Sequence, residues 1–275
     1  MISKPIGFPK LEDEPVSFLN VSFAASLLAI NGILSVVLGL GITKALAIAA
    51  TRCLVQLTLM SLVLKKVLLS TNPGYSILMT SILAALAAYE ITYWRSNKRI
   101  PRMYIATFIS VYSSSMFIGT LGNSFALNSK PTWGAYKFIP TMGMLLGNCM
   151  IGITMGIKSI FDIISTRKEE IEMNLAYGAT RYEICKPILA QAMKNALIPT
   201  INNMSITGLI SIPGMMTGQI LGGADVTQAT YYQEIIIFLI SATTAIGSIM
   251  STAYLILSLV DKSPRLNIDI ITTSK

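Results

Sequence analysis

The chain has 275 residues, of which 53% are hydrophobic and only 12% charged. A soluble domain carries about 25% charged residues, so this composition excludes an ordinary water-dispersed globule. The net charge of +8 does not call for nucleic acid, because the basic residues lie in short loops between apolar windows, where membrane topology accounts for them. There is no histidine, which removes imidazole catalysis and imidazole metal binding. Cys53, Cys149 and Cys185 show neither disulfide nor zinc spacing.

In chain order, residues 1–17 form a tail with Glu12, Asp13 and Glu14. They lack the basic leader that marks a cleaved signal peptide. The charges beyond it leave seven windows of the roughly 20 residues that a helix needs to cross a bilayer. The expected fold is an all-α, polytopic membrane bundle of about seven helices. The spans are Phe18–Leu40, Ala45–Leu69, Tyr75–Tyr93, Met103–Leu121, Phe138–Ile157, Pro199–Leu221 and Thr230–Leu259. Residues 18–157 thus hold spans one to five, 158–198 a cytosolic hairpin, 199–260 spans six and seven, and 261–275 a second tail.

Orientation follows from the excess of Lys and Arg on cytosolic loops. Arg95, Lys98, Arg99 and Arg102 crowd one loop; Lys158, Arg167, Lys168, Arg181, Lys186 and Lys194 fill another; Lys262, Arg265 and Lys275 lie in the last tail. With seven spans these segments share a side, giving an outside N-terminus and a cytosolic C-terminus. Lys4, Lys10, Lys65, Lys66, Lys130 and Lys137 fall opposite.

Polar groups within spans are costly and face a bundle interior or a partner. Arg52 and Gln56 lie in span two and Glu90 near the cytosolic end of span three. An Arg52–Glu90 ion pair is expected, either fixing helix register or gating a path. Span five carries Gly143-x-x-x-Gly147, Asn148 and Gly152-x-x-x-Gly156, a spacing that lets helices approach closely. Span six contains Pro213, Gly214, Met215, Met216, Thr217 and Gln219. Proline removes a backbone donor there, and broken membrane helices often border a substrate path. A packing kink is the alternative. The methionine thioethers suit soft metals but also serve as core filler, so no metal ligand is assigned.

Between Lys158 and Ala196, apolar residues including Ile160, Ile164, Ile171, Leu175, Ile184 and Ile188 recur at helical spacing among charges. Gly178 suits the left-handed end of a helix. Thr180-Arg181-Tyr182-Glu183 reads as a capping box that starts the next one. The apolar stripe of this helix–turn–helix needs cover from a partner groove, from lipid or from other helix ends.

Glu172, Gly178 and Ile188 match the offsets of the cytosolic loop of ABC-transporter permeases, although Met173 and Asn174 replace its alanines and a trailing Leu-Pro is missing. The stretches Ala176–Glu183, Ala196–Asn202 and Gly208–Leu221, with Arg52-x-x-x-Gln56, Gly143-Met-Leu-Leu-Gly-Asn148 and Tyr232-Gln233, resemble uncharacterised protein family 0014 from about Thr43 to Ile256. That family includes bacterial iron-efflux permeases and plant aluminium-tolerance membrane proteins. The resemblance implies a permease subunit, exporting metal ions or a related small solute, driven by a separate ATP-binding subunit. Its members' cargoes differ, so the cargo does not carry over.

No phosphate-cradling Gly-x-x-x-x-Gly-Lys-Ser/Thr occurs in the chain, so ATP would be bound by the partner and no cofactor is expected. The coupling residues would be Glu172, Gly178, Ala179, Thr180, Glu183 and Ile188. The path would use Arg52, Gln56, Glu90, Asn148, Pro213, Gly214, Met215, Met216, Thr217 and Gln219. A homodimer is expected, since one chain is small for a two-half pathway. The plasma membrane is the expected location, with an internal membrane as the alternative. A stand-alone channel or secondary carrier is the rival function; a seven-span receptor and a scaffold fit less well.

Overall fold

The computed structural model describes residues 17–67, 72–261 and 266–273. Lys4, Lys10, the acidic triplet Glu12–Glu14 and the tail cations Lys262, Arg265 and Lys275 lie outside them. The chain divides into two compact units, Met1–Ser70 and Thr71–Lys275.

The first unit holds α1 (Phe18–Ser26), α2 (Leu28–Val37) and α3 (Thr43–Val67). Ser17 caps α1 by accepting from the Leu19 N–H at 3.4 Å. Leu27 keeps right-handed angles between α1 and α2, so the two run on as one span. The turn into α3 is tied by Ser35, whose Oγ accepts from the Ile42 N–H at 3.1 Å and the Thr43 hydroxyl at 3.0 Å. Leu57, Leu59 and Leu62 of α3 are exposed. A helix that is apolar all round belongs in lipid or against other helices.

The second unit begins with α4 (Pro73–Tyr89). Asn72 accepts from the Gly74 N–H at 2.9 Å, and Pro73 opens the helix where its missing N–H costs nothing. A π-helical turn, Glu90–Arg95, ends this span. Then come β1 (Lys98–Arg99), α5 (Met103–Leu121), a second π turn (Gly122–Ala126) and α6 (Ala135–Thr166). α7 (Lys168–Ala176), α8 (Arg181–Ile206), α9 (Gly214–Leu221), α10 (Val226–Leu259) and β2 (Thr272–Thr273) follow.

α6 and α10 form the centre of this unit, with α4, α5 and α8 packed around them. Small residues set the spacing. A Cβ on Gly152 would lie 2.3 Å from Thr244 Cγ2, and one on Gly156 2.7 Å from Thr252 Cγ2. Burial of apolar area does little to drive helices together in lipid, so close van der Waals contact of this kind carries the association. Gly143 and Gly147 are the converse case, with no atom within 4 Å of a Cβ built on either. Of the two expected packing pairs, one therefore packs within the unit and one stays open.

Among the described residues six helices are long and apolar enough to span a membrane: Leu19–Val37, Thr43–Val63, Pro73–Arg95, Met103–Ala126, Ala135–Thr166 and Val226–Leu259. The predicted sixth span, Pro199–Leu221, is not a continuous helix. α8 ends at Ile206, and α9 begins only at Gly214. Gly208 takes φ +89°, which turns the chain out of the helix. Its N–H donates to the Ser211 carbonyl at 2.9 Å, while the N–H groups of Ile210 and Ser211 return to the Ile206 carbonyl. Pro213, with no N–H to give, stands at the start of α9.

The loop that carries β1, the end of α6 and the described part of the last tail meet at one end of this unit. β1 pairs antiparallel with β2, Lys98 opposite Thr273 and Arg99 opposite Thr272. The Tyr254 hydroxyl donates to the Pro101 carbonyl at 3.4 Å, and the Lys98 ammonium donates to Ser165 Oγ near the end of α6.

Candidate functional site

The α7–α8 hairpin has the local structure that its sequence predicts. α7 stops at Ala176, and Gly178 turns the chain at φ +92°. An L side chain is strained there. The capping box then closes. Glu183 Oε2 accepts from the Thr180 hydroxyl at 2.7 Å and the Thr180 N–H at 2.8 Å, and the Glu183 N–H donates to Thr180 Oγ1 at 3.4 Å. The hydroxyl, and after it the backbone N–H, hold the Glu183 carboxyl below its ordinary pKa. At the start of α7, Arg167 grips Glu170 in a two-pronged ion pair, which lowers the Glu170 pKa, chiefly through the hydrogen bond.

The apolar stripe is covered by the protein itself. Ile160, Ile164, Ile171, Leu175, Ile184 and Ile188 all belong to one buried core cluster, and Ala179 packs against it. Ile188 is 5% exposed and anchors the hairpin from beneath. Glu172, Gly178, Thr180 and Glu183 are exposed, with Glu172 3.8 Å from Lys168. The apolar surface left at the tip is aromatic: Tyr177 is 85% exposed and Tyr182 69%.

Arg181 is a functional candidate that the sequence reading treated only as one more loop charge. Its guanidinium donates to the Leu257 carbonyl in the last turns of α10. Cations are favoured at such helix ends. On the α6 side, Asn195 Nδ2 donates to Ser159 Oγ at 2.8 Å. The hairpin is thereby fixed to both central helices. Arginine at the first helical position, within the capping box, was the available signal, but its partner lies 76 positions away.

The expected path residues lie on several elements. Arg52 is half-buried and Gln56 exposed, one turn apart on α3 of the first unit. Glu90 opens the π turn of the second unit, its carboxylate 3.9 Å from the Arg95 guanidinium. Asn148 Nδ2 donates to the Met144 carbonyl at 2.9 Å. Met215 packs against a second core cluster built on Phe138, Met142, Leu145, Ile236 and Ile240. Thr217 donates to the Pro213 carbonyl at 3.2 Å, while Gly214 is exposed and Pro213, Met216 and Gln219 are half-buried. Pro213 to Gln219 are thus held together, whereas Arg52, Glu90 and Asn148 sit on other elements.

Buried polar side chains on α5, the second π turn and α10 have no counterpart among the residues expected from sequence. Ser115, Asn123, Gln233, Thr243, Thr244 and Ser248 are buried and leave side-chain oxygen or nitrogen atoms without a hydrogen-bond partner in the structure. Such groups normally bind ordered water when no protein partner is at hand. Thr244 and Ser248, four residues apart on an apolar helix, were the signal. No group of three or more acidic or cysteine side chains that could hold a metal occurs among the described residues.

Residues 18–259 match the model of the family described as Uncharacterised protein family (UPF0014). The chain belongs to this family. It is 31% identical to the UPF0014 membrane protein YjkA of Bacillus subtilis, over 86% of this chain and 92% of that protein. It is 26% identical to the Probable iron export permease protein FetB of Escherichia coli, over 77% and 80%. It is 31% identical to the Protein ALUMINUM SENSITIVE 3 of Arabidopsis thaliana, over 74% and 73%. No solved structure matches the chain. Membership of UPF0014 and the six apolar helices make it a multi-pass integral membrane protein. In this UPF0014 protein the hairpin and the broken α8–α9 segment depart from simple membrane-crossing helices.

Proposed function

We propose that the chain is the membrane-spanning permease subunit of an ABC-type transporter, exporting metal ions or a related small solute, and that a separate ATP-binding subunit drives it. The observation that carries this reading is the α7–α8 hairpin. It presents exposed aromatic and charged side chains at its turn, while Arg181 at the start of α8 is bonded to α10 and Asn195 farther along α8 to α6. Similarity to a protein named as an iron export permease supports it. Because the apolar stripe is already buried, the partner would grip the exposed side chains at the turn: Tyr177, Tyr182, Glu172, Thr180 and Glu183. Closure of the ATPase around that turn would then move α8 and, through Arg181, α10.

The hairpin end of the unit would face the cytosol, in line with its excess of cations. Cargo would pass beside the break between α8 and α9, next to Pro213 to Gln219 at the start of α9, with Glu90 and Asn148 of the same unit bordering the route. Ile201, Ile210, Ile212 and Leu221 are exposed around the break, and Gly143 and Gly147 offer an open face on α6. A second copy of the chain would cover such faces in a homodimer. The plasma membrane is the proposed location.

The test is reconstitution with the candidate ATP-binding subunit, followed by ATP turnover with metal ions and nucleotide sugars supplied in turn. Cargo-stimulated turnover that Tyr177→Ala/Tyr182→Ala abolishes is the expected result. Transport by the chain alone, with no ATPase co-purifying, would instead establish a stand-alone carrier.

A further inference from the structure

A cavity of about 190 Å³ lies at the hairpin end of the second unit, between the π turn, β1 and α6. Its lining divides by chemistry. Arg95, Lys98 and Lys158 bring three cations, and Ser96, Asn97 and Thr154 add polar groups. Ile91, Ile157 and Phe161 line it as well, at 0%, 2% and 4% exposure, and form an apolar floor. Asp162 contributes one negative charge, and Glu90 stands 3.9 Å from Arg95, so a net positive charge remains.

Positive-inside topology alone would scatter these cations over the loop surface. Here residues from three elements converge on one concavity. The π turn contributes to this, because its wider turn re-aims the residues that follow it. Arg99, the neighbouring cation, is spent differently: its guanidinium donates to the Thr92 and Tyr93 carbonyls, both at 2.9 Å. Lys158 enters no ion pair among the described residues.

We infer that this cavity binds a phosphate ester, and that the ester is the headgroup of an anionic phospholipid. Basic pockets between membrane helices take such headgroups. The apolar floor fits the glycerol and first acyl carbons of a lipid, for which a free phosphate has no use. The inference does not rest on the transport reading, because binding needs neither cargo nor ATPase.

The experiment uses the full chain, purified in a neutral detergent, with native mass spectrometry as readout. The probes are dioleoylphosphatidylglycerol, dioleoylphosphatidylcholine and inorganic phosphate. Wild type should retain phosphatidylglycerol in preference to phosphatidylcholine. Lys158→Gln should weaken retention about fivefold and Lys98→Gln/Lys158→Gln about 25-fold, as expected for cations near a charged headgroup. Lys186→Gln, which removes an exposed charge outside the cavity, should leave retention unchanged. Thermal unfolding of Lys158→Gln at the wild-type temperature separates lost binding from lost folding. Displacement of phosphatidylglycerol by inorganic phosphate would overturn the lipid source and assign the cations to a soluble phosphate ester. Equal retention by wild type and the double variant, or binding of neither anionic probe, would overturn the proposal.

Discussion

Replacing Gly152 by alanine probes the contact on which the second unit depends. The added Cβ would sit 2.3 Å from Thr244 Cγ2, 3.1 Å from the Ala196 carbonyl oxygen and 3.1 Å from Ser248 Oγ. Carbon atoms in contact prefer about 3.5–4.0 Å, so α6 must move away from α8 or α10. Overpacking of this kind costs about 1–3 kcal/mol. Alanine also favours the helix over glycine by roughly 1 kcal/mol. Gly143→Ala carries that same gain with nothing within 4 Å to clash. The difference between the two variants therefore isolates the clash, at about 2 kcal/mol. At about 2–4 °C per kcal/mol for chains approaching this size, Gly152→Ala should melt roughly 4–8 °C below Gly143→Ala. Gly156→Ala, at 2.7 Å from Thr252 Cγ2, should fall between them. Tryptophan fluorescence of the purified protein in detergent, during a thermal ramp, reads the order. Equal melting temperatures for the Gly152 and Gly143 variants would refute the packing argument.

Gly178→Val forces a β-branched residue to φ +92°, at a cost of roughly 1–2 kcal/mol; the protein should still insert, while ATP-driven transport with the partner is lost. Arg181→Ala removes the link to α10 and should leave ATPase binding intact while transport falls, as measured by pull-down and flux on the same preparation. The Arg167 hydrogen bond holds the Glu170 carboxyl, and the Thr180 hydroxyl and N–H hold that of Glu183, below the ordinary glutamate pKa. Their stabilisation of the hairpin is present above about pH 4.5 and fades as pH falls through the folded values. Protection of the 180–184 amides, corrected for the intrinsic pH dependence of exchange, should fall on acidification through that window, and Thr180→Ala should remove most of the dependence contributed by Glu183. Gly208→Ala/Pro213→Ala should favour helix between α8 and α9 and lower flux without loss of insertion.

Five of the seven predicted spans correspond to long apolar helices, the fifth running on past its predicted end at Ile157 to Thr166 and the predicted end of the second at Leu69 lying outside the described residues, and the first is the nearly continuous α1–α2 rod. Charge-free windows have no other economical fate in a bilayer, because every backbone polar group must be satisfied within the segment. The break in the sixth was legible at Pro213, but its extent back to Thr207 was not. That depended on Gly208 adopting a left-handed angle and on the Ile206 carbonyl accepting two N–H groups. Both π turns and the β1–β2 pair escaped notice, since neither has a periodic signature.

What the chain's sequence determined by itself was local: membrane helices, the turn at Gly178, and a capping box whose partners stand three residues apart. Each rests on interactions within one or two helical turns, so neighbours along the chain suffice to specify it. Only the tertiary structure decided which glycine pair packs, where the hairpin's apolar stripe is buried, and that Arg181 reaches α10. Those outcomes depend on which face of one helix meets which face of another, across tens of residues, and periodicity marks a face without naming its partner.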